Sequence, residues 1–81
     1  MNREQLKQEL DANGVEPEAY YFGSGLPNEK YVLAQETTGK WSVYFSERGA
    51  RAGNRTFDSE NEACIYFLER ILRDSTTRKH K

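Results

Sequence analysis

The side chains that could do chemistry in this 81-residue chain are few: one cysteine, one histidine, scattered carboxylates and one short run of arginines. His80 lies in the polar tail DSTTRKHK, where nothing can hold a partner against it. Cys64 falls on an apolar helix stripe at a position suited to a small hydrophobe, which reads as a buried, inert thiol. Ser–His or Cys–His nucleophilic catalysis therefore lacks its base, and zinc finds too few ligands. Glu36 and Glu47, the remaining pair for acid–base work, sit at or beyond opposite ends of a predicted hairpin. Gly23 and Gly25 have no third glycine and no helix start behind them, so they read as a turn and not as a phosphate loop. The expectation is a non-catalytic protein with no cofactor and no metal.

The arginines are the most informative feature. Residues 48–57 carry Arg48, Arg51 and Arg55 and no acid, a local charge of +3. The flanks are acidic: residues 1–29 hold two basic and six acidic side chains, and residues 58–72 hold one and four. One account is a solvated loop whose arginines neutralise acids such as Glu60 and Glu62. The other is a loop that recognises a carboxylate or phosphate, for which guanidinium is suited because it binds bidentately.

These residues need elements to position them. Asn2 and Gln5 fit a capping box that opens a first helix. Asn13-Gly14 closes it, with Gly14 at the left-handed position and Leu10 and Val15 meeting as in a Schellman motif. Pro17 prevents a restart. Only Leu6 and Leu10 are strongly apolar, so this helix is a lid. Residues 19–22 have strand composition. A hairpin follows, from Lys30 to Glu36 and from Lys40 to Ser46 around Thr37-Thr38-Gly39. A three-residue loop ending in a left-handed glycine pairs Glu36 with Lys40, Leu33 with Val43 and Tyr31 with Phe45. Tyr31, Leu33, Trp41, Val43 and Phe45 then share one face, and Val32, Ala34, Lys40, Ser42, Tyr44 and Ser46 share the other.

Residues 47–55 read as a loop or a loosely paired strand, with Thr56-Phe57 as a short edge strand. Ser59 and Glu62 cap the last helix, on which Ala63, Cys64, Phe67, Leu68, Ile71 and Leu72 form the apolar half. The fold class expected is α+β, in the order α-β-β-β(-β)-α, with a three- or four-stranded antiparallel sheet and both helices on one face. Residues 1–81 make a single domain with a frayed tail over about 74–81. The second sheet face, with Val32 and Tyr44 and a contribution from Tyr20 or Phe22, is expected to be partly open. An open aromatic face would serve as a partner surface or a homodimer seam.

Composition bounds the partners. Twelve basic and thirteen acidic side chains leave a net charge of −1, unlike a general polyanion binder. A single cysteine points to a reducing compartment. The N-terminus, MNREQLKQEL, has no apolar run suited to a signal peptide, and no stretch approaches a membrane span. A cytoplasmic protein with a protein partner is the expectation.

The order α-β-β-β-α is similar to that of double-stranded RNA-binding domains. Those domains aim a lysine cluster at phosphates from the start of their last helix, where this chain has Asp58-Ser59-Glu60-Asn61-Glu62. The resemblance is one of order alone, and RNA binding of that kind is not expected. The stretches WSVYFSERG (41–49) and FDSENEACIYFL (57–68), within Trp41 to Leu72, resemble small bacterial immunity-type proteins encoded beside secreted toxins. That resemblance implies a protein that binds a toxin domain and blocks it without chemistry. The alternative is a nucleic-acid-associated or regulatory domain using Arg48 to Arg55. The candidate contact residues are Arg48, Arg51, Arg55, Tyr44 and Val32.

Overall fold

The computed structural model describes residues 1–23, 25, 27–74 and 77. Helix α1 (Arg3–Ala12) is followed by a 3-10 turn (Pro17–Ala19) and strands β1 (Tyr20–Phe22), β2 (Lys30–Gln35), β3 (Trp41–Glu47) and β4 (Ala50–Phe57). Helix α2 (Glu60–Leu72) completes the order. The class is α+β, and the four strands form one sheet in sequence order.

Local chemistry sets the helix ends. Asn2 accepts from the Gln5 backbone N–H at 2.9 Å, and the Gln5 side chain accepts from the Asn2 backbone N–H at 3.1 Å, completing the capping box. At the other end of α1, Val15 N–H donates to the Leu10 carbonyl and Gly14 N–H to Asp11, both at 3.0 Å, with Gly14 at φ 75°. This is the expected Schellman pair, and it buries Leu10 and Val15 together. Ser59 caps α2 by accepting from Glu62 N–H at 3.2 Å.

The hairpin register is the expected one: Tyr31 pairs with Phe45 and Leu33 with Val43, and Glu36 N–H donates to the Lys40 carbonyl at 2.7 Å. Leu33, Trp41 and Val43 lie under Leu6, Leu10, Val15, Ala63, Cys64, Phe67 and Ile71 in the main core. Phe67 meets Tyr20 and Phe22 edge-on, at ring-centre distances of 6.5 and 5.7 Å. Tyr20 and Phe22 therefore belong to the helix side.

Four expectations are corrected. The sheet is mixed, because β1 runs parallel to β2, with Tyr20 beside Tyr31 and Phe22 beside Leu33. Parallel neighbours normally need a long crossover. Here β1 spans only three residues, roughly 10 Å, and the seven residues between the strands reach up to roughly 25 Å, enough for the return. The second sheet face is not open. Val32, Ala34 and Tyr44 form a small second core at 0–2% exposure. The Tyr44 hydroxyl donates to the Gly25 carbonyl, and the Arg51 guanidinium lies 4.2 Å from the ring centre. The segment after Glu47, expected as a loop or a loosely paired strand, is a hairpin strand paired with β3 along its length apart from a one-residue bulge at Gly53-Asn54. Arg48 and Gly49, at φ 52° and 76°, make a two-residue turn of the primed type into the eight-residue β4.

The fourth correction concerns only Asp74 and Thr77 of the tail expected to fray, since its other residues lie outside those described. Thr77 is buried, donates its hydroxyl to the Asp74 carbonyl at 2.8 Å and accepts from Glu16 N–H at 2.8 Å. Asp74 in turn accepts from the Tyr31 hydroxyl at 3.0 Å. The described part of the tail is thus tied to the turn after α1 and to β2. His80 lies outside the described residues.

Candidate functional site

The three arginines of residues 48–55 are not one cluster, because the register of β4 against β3 shifts by one residue at Gly53-Asn54, a bulge that turns Arg51 and Arg55 to opposite faces. Arg48 is exposed in the β3–β4 turn. Arg51 pairs with Ser46 and lies on the far face. There it bridges Glu36 at 3.0 Å and covers Tyr44. Arg55, opposite Val43, lies on the helix face with its guanidinium 5.3 Å from the Tyr66 ring centre. Tyr44 and Val32, expected on a partner surface, have no exposed area. Arg51 is thus part of the cover of the second core. Glu60, which one of the two accounts set against the arginine loop, instead bridges Arg3 at 3.1 Å.

What the tertiary structure brings together is a different set. Between β4 and the C-terminal half of α2 lies a groove of about 350 Å³ lined by Gly53, Asn54, Arg55, Tyr66, Glu69, Arg70 and Arg73. Tyr66, Arg70 and Arg73 follow one another at helical spacings of four and three, so they project along one edge of α2. Arg70 is fixed: its two terminal nitrogens donate to the Gly53 and Ala52 carbonyls at 2.8 and 3.0 Å. Gly53 is required for that approach. It sits at φ 61°, and a Cβ there would come within 2.6 Å of Nη2 of Arg70. Arg55 lies over the Tyr66 ring, and Tyr66 packs on Phe57 with ring centres 5.2 Å apart and the planes tilted by 42°. Among the described residues no carboxylate forms an ion pair with Arg55 or Arg73. Three guanidinium groups face one carboxylate, Glu69, in a chain whose net charge is −1. Arg70 and Arg73 were legible as a stripe with Tyr66, but nothing local shows that β4 lies beside them.

A second cavity of about 330 Å³ carries the opposite sign. Glu16, Glu18, Glu29 and Asp74 surround it with Tyr31 and Phe45. Burial and then the hydrogen bond to Asp74 hold the Tyr31 hydroxyl above its ordinary pKa. Among the described residues, no three His, Cys, Asp or Glu side chains gather closely enough to hold a metal ion.

Cys64 is fully buried, and its thiol is pushed up to about 11 by burial and then by Glu60. It has no thiolate to offer near neutral pH. Glu36 is held below its ordinary range, first by the Ser42 hydroxyl that faces it and then by Arg51. The Ser42 contact falls short of full hydrogen-bond geometry, so the Arg51 bridge is the firmer of the two. No described helix is long and apolar enough to cross a membrane.

No family model, curated protein or solved structure matches this chain. The groove between β4 and α2 therefore has to be interpreted from its own residues.

Proposed function

We propose that this chain is a small, non-catalytic binding domain of the cell interior that engages an acidic surface of a partner protein through the β4–α2 groove. One observation carries the proposal: Arg55, Arg70 and Arg73 converge around Tyr66 in a chain that is acidic elsewhere. Arginine and tyrosine are the residue types most enriched where proteins anchor one another. The groove's charge and its planar donors suit carboxylates. The protonated, buried Cys64 supports a role without covalent chemistry. In the toxin-immunity form of the proposal, the partner is a toxin domain and occupation of the groove blocks it.

The same guanidinium groups, with Tyr66 as a stacking platform, could also suit single-stranded nucleic acid. The acids Asp58, Glu60 and Glu62 at the start of α2 disfavour a phosphate backbone beside it. The two readings separate by photocrosslinking in the native lysate from a benzophenone placed at Asn54. A protein adduct that weakens with salt and disappears in Arg55→Glu/Arg73→Glu is expected. A nucleic-acid adduct would transfer the site to the second reading. A protein adduct indifferent to both substitutions would overturn the use of the groove.

A further inference from the structure

The groove has a second property besides its charge: one of its walls is the edge of a sheet. In the strand order β1-β2-β3-β4, β4 has a strand neighbour on one side only. An edge strand leaves the N–H and C=O groups of alternate residues without a ladder partner. Arg70 occupies the carbonyls of Ala52 and Gly53 and so closes the first part of this edge. The part from Asn54 to Phe57 runs on toward α2, beside Arg55 and Tyr66.

We infer that the occupant of the groove is an extended acidic peptide segment of the partner, added to β4 as a fifth strand with its carboxylates on Arg55 and Arg73. This rests on the binding-domain reading and specifies its mode. Tyr66 lies beside Arg55 and Phe57, and Arg70 beside Ala52 and Gly53, so α2 runs antiparallel to β4, and a segment paired with Asn54–Phe57 continues past Arg70 toward Arg73. Side chains alternate along a strand, so every second residue of the incoming segment faces the helix and meets a guanidinium or the Tyr66 ring. Arg70 is already anchored, and Arg55 already lies on Tyr66, so ordering them on binding costs less than it would for free side chains.

The charges also select against a second copy of this chain. Antiparallel pairing of two β4 strands centred on Arg55 would set the two Arg55 side chains opposite each other on the helix face, and like charges directly opposite are destabilising. An acidic strand meets the opposite situation. The bland reading is that the arginines only protect an exposed edge. It accounts for repulsion of like edges, and it requires no preference among the peptides that remain.

The test pans a phage library of random dodecapeptides against the intact chain and against Arg73→Glu, a substitution at the C-cap of α2 that leaves β4 untouched. The expected result is enrichment of sequences with Asp or Glu at every second position. The leading peptide should slow amide exchange within Asn54–Phe57 and bind Arg73→Glu on the order of tenfold more weakly. Absence of enrichment, enrichment that survives Arg73→Glu, or binding without protection of β4 amides would each overturn strand addition. A folded acidic partner crosslinked at Asn54 without β4 protection would defeat this inference alone and leave the binding-domain reading standing.

Discussion

The Tyr44 hydroxyl donates to the Gly25 carbonyl at 2.8 Å, fastening the connection between β1 and β2 to the centre of the sheet's far face. This bond explains how a seven-residue return between parallel strands also closes the second core. The ring fills the space over β3, and its polar tip satisfies a loop carbonyl. Burial, as the leading cause, holds the hydroxyl above its ordinary pKa, so it remains a donor across the neutral range.

Removing that hydroxyl should loosen the loop without emptying the core. Tyr44→Phe is expected to lose about 0.5–1.5 kcal/mol in urea melts and to speed amide exchange of Gly25 more than that of Leu33. Uniform acceleration across both sites would show that the bond does not hold the loop specifically.

The Glu36–Arg51 bridge should make stability depend on acid pH. The folded-state pKa of Glu36 is lowered, so the unfolded chain takes up this proton more readily. The stabilisation is full above the ordinary glutamate value of about 4.3 and is lost as pH falls through the lowered folded value. Glu36→Gln should flatten that part of the stability profile. A double-mutant cycle with Arg51→Ala at pH 7 should give a coupling of about 0.2–1 kcal/mol, since both groups are about one-third exposed. Parallel acid profiles for wild type and Glu36→Gln would refute the assignment.

Gly53→Ala should weaken the fold for two separable reasons. The left-handed backbone costs about 1–2 kcal/mol for a residue with a Cβ, and the new methyl group collides with Arg70. In the Arg70→Ala background only the first contribution remains, so the substitution should be milder there. Equal losses in both backgrounds would mean that the guanidinium moves away without penalty.

Arg48 holds φ 52° in the β3–β4 turn, a conformation that asparagine tolerates better. Arg48→Asn is expected to raise the midpoint of thermal unfolding modestly, a gain of up to about 1 kcal/mol. Crosslinking at Asn54 should be unchanged, because Arg48 does not line the groove. Lost crosslinking in a stabilised variant would return Arg48 to the contact surface.

The amino-acid order alone determined the features whose causes lie within a few residues of one another. Asn2 with Gln5 opened α1, Gly14 closed it against Val15, and Ser59 opened α2. Gly39 at φ 90° set the hairpin register that places Leu33 opposite Val43. Such caps and turns are local bonds, so they are legible without the rest of the chain. The direction of β1 was not legible, because the loop after Phe22 is long enough to return either way. Nor was the cover over Tyr44, which comes from Gly25 and Arg51, nineteen residues before it and seven after. The groove was hidden for the same reason. Arg55 and Arg70 are fifteen residues apart, and they meet only because the apolar face of α2 docks on the sheet and lays its Tyr66–Arg73 edge along β4. Hydrophobic burial is non-directional. It drives α2 onto the sheet, while the tertiary packing decides which charged edge of the helix ends up facing which strand.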